Sequence, residues 1–366
     1  MRVHGSPYRT LWMDGTVVRM IDQTLLPFDF RIVECETHHH TAAAVREMVV
    51  RGAPALGAAG AFAMAQAFAE APRSAPWPFA REARARIEAT RPTARDLFAG
   101  IEHVWSAAGQ SGDDPAGAAL AAAQAFAEAS VESCRALGEH GAALIPAGAR
   151  VLTHCNAGWL ATVDHGSALA PVFAAAQAGR APYVWVDETR PRGQGARLTA
   201  WELANEGIPH AVIADNAAAH YMSLGEVDLV IVGADRIAAN GDVVNKVGTL
   251  AKAICAREFG IPFYVAAPPS TFDAGTSTGA SVTIEERSWD EVHYQDGPDA
   301  DGTLRRIRVT APGSPARNPA FDATPARLVT GYVTDRGVLT LEQLRGEAAD
   351  ERQGVSAAAS SQRVGI

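Results

Sequence analysis

The chain has 366 residues, 48% hydrophobic and 20% charged, with 32 Lys and Arg against 41 Asp and Glu, a formal net charge of −9. That length exceeds one ordinary core, so two domains are expected, and the balance is that of a globular rather than a disordered protein. An acidic sum without a Lys/Arg block argues against a nucleic-acid partner, and the lack of an uncharged apolar run of about 18 residues argues against a membrane span.

The four cysteines, at 35, 134, 155 and 255, include no CxxC pair, which speaks against a disulfide scaffold and a zinc cluster. MRVHGSPYRTLWMDG has no apolar run behind a basic start, so no secretory signal is expected and a reducing cytoplasm is the simplest compartment.

LWMDGTVVRMIDQTLLP alternates apolar and polar residues around Asp14-Gly15, the pattern of a β-hairpin. Helical periodicity runs from Thr37 to Val50, and a small-residue helix follows the turn at Pro54. Pro72 to Pro78 reads as a loop, and residues 80–108 and 115–140 are helical again. Residues 1–147 are therefore predicted to form a mostly helical domain with a small β-sheet. After Pro146 the grammar changes. ARVLTHC, APYVWVDE, PHAVIADN, VDLVIVGAD and IPFYVAAP are short β-rich runs separated by helical stretches. This predicts an α/β domain over 148–345, a Rossmann-like, doubly wound parallel sheet. Residues 271–326 read as looser, ARLVTGYVT as a further strand, and 346–366 as a disordered polar tail.

In such sheets ligands bind beyond the carboxyl ends of the strands. There stand Cys155, then Asp187 and Glu188, then Asp215 and Asn216, then Asp235. Cys155 is either a reacting thiol or a small buried hydrophobe, whereas Cys35, Cys134 and Cys255 read as core. Asp235 lies between an apolar strand and the polar loop RIAANGDVVNK. It reads either as a general acid with a raised pKa or as a turn carboxylate bonded to backbone amides. Arg51-Gly52-Ala53-Pro54 and Arg91-Pro92-Thr93 each precede a helix, offering guanidinium and free N–H groups to an anion. Gln194-Gly195 and Asn245-Lys246 add amide and ammonium donors. No GxGxxG follows a strand and no GxxxxGK[ST] occurs, so dinucleotide and P-loop readings lose their support. His38-His39-His40 looks like a metal tract, but adjacent helical residues point apart, and a solvated face is expected.

Seven phrases in order, VRGAPALG, RPTARDL, LTHCNAGWLAT, DETRPRGQGARLTAWEL, GADRIAANGDVVNKVGT, PFYVAAPPSTFD and NPAFDATPARL, resemble the methylthioribose-1-phosphate isomerase family. That family is related to regulatory subunits of the eukaryotic initiation-factor exchange factor, and the likeness runs from about residue 8 to 342. The resemblance implies a homodimer that converts 5-methylthioribose 1-phosphate to 5-methylthioribulose 1-phosphate in methionine salvage, without metal or nicotinamide. It implies Asp235 as the acid/base residue and Cys155 as the second catalytic group. It places Arg51, Gly52, Ala53, Arg91, Gln194, Asn245 and Lys246 around the substrate and its phosphate. Three places depart from the usual family pattern: Arg192-Gly193 replaces two leucines, Trp159 a small residue and Asp96 an asparagine. Two other readings stay open: the same chemistry on 5-deoxyribose 1-phosphate, and a non-catalytic regulatory subunit that binds a sugar phosphate or nucleotide. Retention of both Cys155 and Asp235 favours catalysis.

Overall fold

The computed structural model describes residues 1–92 and 94–346, so the tail expected from 346 lies, from 347 onward, outside the described residues. A short hairpin, β1 (Arg2–Val3) with β2 (Ser6–Pro7), opens the chain. Then β3 (Leu11–Asp14), β4 (Val17–Ile21) and β5 (Ile32–Cys35) form an antiparallel meander. The hairpin read from the Asp-Gly pair is present, with Asp14 opposite Val17.

Helix α1 (His38–Arg46) starts at Thr37, whose hydroxyl accepts the His40 N–H at 3.3 Å. It stops short of the expected Val50, and Met48 just beyond takes a left-handed φ of 61°, which no helix continues. The triple histidine is not a uniformly solvated face. His38 is buried with Nδ1 2.7 Å from a Glu70 oxygen, while His39 and His40 are exposed. Helix α2 (Ala53–Glu70) is buried on all sides from Ala55 to Phe68, as suits the centre of a bundle. Its buried Gln66 is satisfied, donating to the Cys35 and Thr16 carbonyls at 2.7 and 2.9 Å and accepting from Thr41 at 2.7 Å. Around it pack α3 (Pro76–Glu88), α4 (Arg95–Gln110) and α5 (Pro115–Ala142). The loop expected to Pro78 ends at Pro76, because a first helical turn tolerates proline's missing N–H.

The second half alternates as the sequence predicts. In chain order come β6 (Arg150–Thr153), α6 (Ala170–Gln177), β7 (Tyr183–Asp187), α7 (Ala200–Asn205), β8 (His210–Ile213), α8 (Ala218–Ser223) and β9 (Leu229–Val232). A hairpin follows, β10 (Arg236–Ala238) with β11 (Val243–Lys246), then α9 (Thr249–Glu258), β12 (Phe263–Ala266) and β13 (Phe272–Asp273). The chain continues through α10 (Asp290–His293), the hairpin β14 (Tyr294–Pro298) with β15 (Leu304–Arg308), β16 (Phe321–Thr324), β17 (Gly331–Thr334) and β18 (Gly337–Leu339). The main sheet has the order β18-β17-β12-β9-β6-β7-β8, parallel except for β18. Its parallel strands, numbered along the chain, run 3-2-1-4-5-6, the dinucleotide-fold order, with the reversal between β6 and β9.

Two expectations are corrected. The polar loop after Asp235 is the β10–β11 hairpin, which buries Ile237, Val243 and Val244. The looser segment from 271 to 326 supplies β13 and β16 to the second sheet, β13-β10-β11-β16, and contains the β14–β15 hairpin. Strands this short leave little alternation to read. Of the cysteines expected in the core, Cys35 and Cys134 are buried and Cys255 is only partly so. Among the described residues no helix is long and apolar enough to cross a membrane.

Candidate active site

The reversal in strand order opens a crevice between the loops leaving β6 and β9. These strands are direct neighbours, with Leu152 opposite Val230. Cys155 and Asp235 therefore leave adjacent strands, and both line one cavity of about 150 Å³. The helical half closes it through Arg51, Gly52 and Ala53 at the start of α2 and through Arg91 and Asp96 beside the start of α4. Gln194 and Lys246 complete the set, so eight of the nine residues singled out above share this wall. Asn245 does not. It is buried behind Lys246 and donates from Nδ2 to the Thr249 hydroxyl at 3.0 Å. A wider hollow of about 460 Å³ adjoins the cavity, sharing Met48, Arg51, Arg192 and Gln194.

Local geometry explains the residue types. Gly52 has φ 95°, and a side chain there would overlap the Ala161 carbonyl. With no side chain at Gly52 to cap α2 and Pro54 lacking an N–H, the N–H groups of Ala53 and Ala55 make no hydrogen bond among the described residues, and Ala53 lines the cavity. Cys155 also adopts a left-handed φ, 67°, which costs an ordinary residue about 1–2 kcal/mol. Two threonines hold it there: the Cys155 N–H donates to the Thr189 hydroxyl at 2.8 Å, and the Thr199 hydroxyl donates to the Cys155 carbonyl at 2.8 Å. The residue is 9% exposed and lines the cavity wall.

Arg51 is aimed by the next residue along. Its Nη1 donates to Asn156 Oδ1 at 2.5 Å and its Nη2 to the Asn156 carbonyl at 3.0 Å. The amide of Asn156 is oriented in turn by Glu202 on α7, which accepts its Nδ2 at 2.8 Å along with the Trp159 and Leu160 N–H groups at 2.9 and 3.2 Å. Gly158 is required because any side chain would overlap the Glu202 carboxylate. Burial pushes Glu202 up to about 7 despite those donors and Arg51. Between about pH 4.5 and 7 the folded chain thus keeps a proton that the unfolded chain releases, and stability falls as pH rises through that window. We expect the stability of the wild type relative to Glu202→Gln to be about 2.5 kcal/mol greater at pH 5 than at pH 8. Urea unfolding at both pH values checks this, and an equal difference would contradict it.

The wall carries six arginines and Lys246 against three carboxylates, Asp96, Asp235 and Glu285. Burial lowers the Arg91 guanidinium, and Arg287, Arg192 and Arg51 oppose its charge further; its Nη1 is buried with no partner among the described residues. Lys246 is lowered by burial, against the pull of Cys155 and Asp235, and it donates to the Ala320 carbonyl at 2.9 Å beneath the Phe321 ring. Such crowded, underused cations suit a phosphate. Asp235 lies deep among protein groups, but its side chain is exposed to the cavity. Burial raises it, with Lys246 the largest opposing influence. Its side chain makes no hydrogen bond among the described residues, whereas its N–H donates to the Val244 carbonyl at 3.0 Å. The turn-carboxylate reading therefore fails.

The other strand-end carboxylates lie elsewhere. Asp187 is buried, with His154 Nδ1 at 3.0 Å and Lys252 Nζ at 2.9 Å, and Asp215 accepts the Thr189 and Arg190 N–H groups at 2.8 and 2.7 Å. His154, Asp187 and Asp215 have the spacing of a metal cluster, but the Lys252 ammonium already supplies the cation. Glu188 lines the adjoining hollow. Sequence reasoning missed Arg287, Glu285 and Phe321, which reach the cavity from segments without a strand or helix signal, and Glu202, which looks like the polar side of a helix.

The initiation factor 2 subunit family matches residues 49–341. The chain is 49% identical to the methylthioribose-1-phosphate isomerase of Methylocella silvestris over 353 residues, 93% of this chain and 95% of that one. The same identity links it to the Methylobacterium nodulans protein of that name, over 92% and 95% of the two chains. Among solved structures, 5-methylthioribose 1-phosphate isomerase from Pyrococcus horikoshii superposes with a TM-score of 0.85 at 38% identity, covering 94% of this chain and 96% of that one. A structure named as translation initiation factor eIF-2B, subunit delta, from A. fulgidus has a TM-score of 0.83 at 39% identity, covering 93% and 100%. With this α/β architecture and with relatives so similar along their whole length, the chain belongs to the methylthioribose-1-phosphate isomerases of the initiation factor 2 subunit family.

Proposed function

We propose that the cavity isomerises 5-methylthioribose 1-phosphate to 5-methylthioribulose 1-phosphate, a step of methionine salvage. The observation that carries this reading is the meeting of Cys155 and Asp235, from the two strands flanking the sheet reversal, in one arginine-rich cavity. An aldose isomerase ordinarily opens its ring to a free aldehyde. Here phosphate on the anomeric oxygen blocks that route, so the ring opens with C1 still phosphorylated. Arg51, Arg91, Lys246 and the N-terminus of α2 hold the phosphate, with Gln194 beside them. Asp235 gives its proton to the ring oxygen as the C1–O bond breaks. Hydrogen then moves from C2 to C1, as a proton through Cys155 or as a hydride while Cys155 supports charge at the C2 oxygen, and the proton released by the C2 hydroxyl returns to the Asp235 carboxylate, directly or through water.

A homodimer fits the exposed apolar side chains of Leu224, Ile254 and Phe259 near α8 and α9. Free thiols fit a reducing cytoplasm. The change from helical bundle to wound sheet between α5 and β6 supports domains over 1–147 and 148–345.

Incubated with 5-methylthioribose 1-phosphate, the purified protein forms the 2-ketose 1-phosphate, followed by ³¹P and ¹³C NMR. The 5-deoxyribose compound differs only at the 5-substituent, worth about 1–3 kcal/mol to a pocket, so its kcat/KM falls within about 200-fold. No turnover of either sugar would overturn the reading.

A further inference from the structure

Glu202 is buried and ionisable, yet it takes no part in the reaction above. It lies on α7, fully enclosed and off the cavity wall, with no ion-pair partner among the described residues. Burial pushes it up to about 7, so holding it ionised costs the fold stability. An apolar side chain of similar size would carry no such cost.

What a carboxylate supplies here, and an apolar group cannot, is acceptors. Oε1 receives Asn156 Nδ2 at 2.8 Å and the Leu160 N–H at 3.2 Å, and Oε2 receives the Trp159 N–H at 2.9 Å. The carbonyls of the same loop are pinned from the helical half, Trp159 by the Thr10 hydroxyl at 2.6 Å and Leu160 by Gln23 Nε2 at 2.7 Å.

The Asn156 amide is committed on every side. Its Oδ1 accepts Arg51 Nη1, one Nδ2 hydrogen goes to Glu202, and the other goes to the Thr199 hydroxyl at 3.2 Å. A flipped amide would face Nδ2 toward a guanidinium N–H and Oδ1 toward a carboxylate, donor against donor and acceptor against acceptor. Glu202 thus dictates which way the amide points, and the amide dictates where Arg51 points. Asn156 takes two of the five N–H groups of Arg51, one from each terminal nitrogen, and three remain for an anion in the cavity. The same Thr199 hydroxyl donates to the Cys155 carbonyl at 2.8 Å. The arginine and the left-handed backbone of the thiol share one support.

We propose that Glu202 is a positioning residue for the isomerisation: through the Asn156 amide it holds Arg51 ready for the substrate's phosphate and fixes that arginine relative to Cys155. The identity of the substrate rests on the isomerase reading; the aiming of Arg51 at a phosphate does not. Preorganisation is the gain. A free arginine gives up its rotamers each time it clamps an anion, whereas Arg51 has given them up on folding.

The test is a double-mutant cycle of Glu202→Gln and Arg51→Lys at pH 8, where Glu202 is mostly ionised. Glutamine keeps the shape but turns an NH₂ group toward one of the three donors, and lysine keeps the charge but lacks the fork that Asn156 holds. Each protein is measured by steady-state kinetics with 5-methylthioribose 1-phosphate and by calorimetric binding of inorganic phosphate. Glu202→Gln should raise KM and the phosphate Kd about 5- to 50-fold, with kcat falling less than KM rises. In the Arg51→Lys background the same change should move either constant by less than about twofold, because the aimed fork is already gone. A packing role alone would lower the melting temperature and leave KM and Kd unmoved, or shift them equally in both backgrounds; either result overturns the proposal. Should Glu202→Gln fail to fold, Asn156→Ala cuts the link one residue nearer to Arg51 and is held to the same two criteria. A wild type without turnover, whose phosphate Kd still shows the coupling between residues 202 and 51, overturns the isomerase reading and leaves the aiming of Arg51 standing.

Discussion

Replacing Asp235 by asparagine should lower kcat by about 10³- to 10⁴-fold and leave KM near its wild-type value. Without an acid, the ring oxygen must leave C1 as an alkoxide, and general acid catalysis is worth that much where a poor leaving group departs. Asp235 is suited to the task because burial holds its proton on more firmly than in an ordinary aspartate, against the opposing charges of Lys246, Arg51, Arg287 and Arg91. Asparagine preserves the shape and the backbone bond to Val244 but has no proton to give. The substitution should not unfold the chain, since it removes a carboxyl that no protein group stabilises by hydrogen bonding among the described residues. Steady-state kinetics beside a thermal melt checks both halves. A kcat within about tenfold of wild type would remove Asp235 from the acid role.

The second large effect is expected at Cys155. Cys155→Ser should cut kcat by about 10²- to 10⁴-fold with the fold intact, because the two threonine bonds to residue 155 are made by its backbone and survive the change. Turnover in heavy water then separates the two hydrogen routes. Solvent deuterium at C1 of the product marks a proton path through the thiol; its absence favours hydride transfer or a proton shielded from solvent. Near-wild-type turnover by Cys155→Ser would exclude the thiol from both.

The sequence exposed this chemistry unevenly. Cys155 and Asp235 were visible as strand-end residues because the apolar runs before them are short and cleanly bounded, and β6 and β9 lie where those runs stand. The same rule flagged Asp187 and Asp215, which the fold ties to His154, Lys252 and backbone amides away from the cavity. Which strand ends face the crevice depends on the order 3-2-1-4-5-6, and local patterning carries no information about strand order. Arg51 and Arg91 were legible as arginines before helices, but their convergence on one wall depends on how the bundle docks against the sheet. Asn245 points the other way: its motif placed it beside the substrate, and its alternation along β11 turns it to Thr249 while Lys246 faces the cavity. Glu202 shows a further limit. A glutamate in WELANEG looks like a solvated helix face, and only the fold reveals that loop 156–160 surrounds it with donors.

One sugar phosphate is expected between residue 155 and Asp235, and a crystal structure of Cys155→Ser with 5-methylthioribose 1-phosphate would show where it binds. The sugar should lie in the cavity with its phosphate on Arg51, Arg91 and Lys246, its ring oxygen beside Asp235, and its C1–C2 bond beside residue 155. A ligand bound only in the adjoining hollow, or one that touches Asp235 while residue 155 faces empty space, would contradict it.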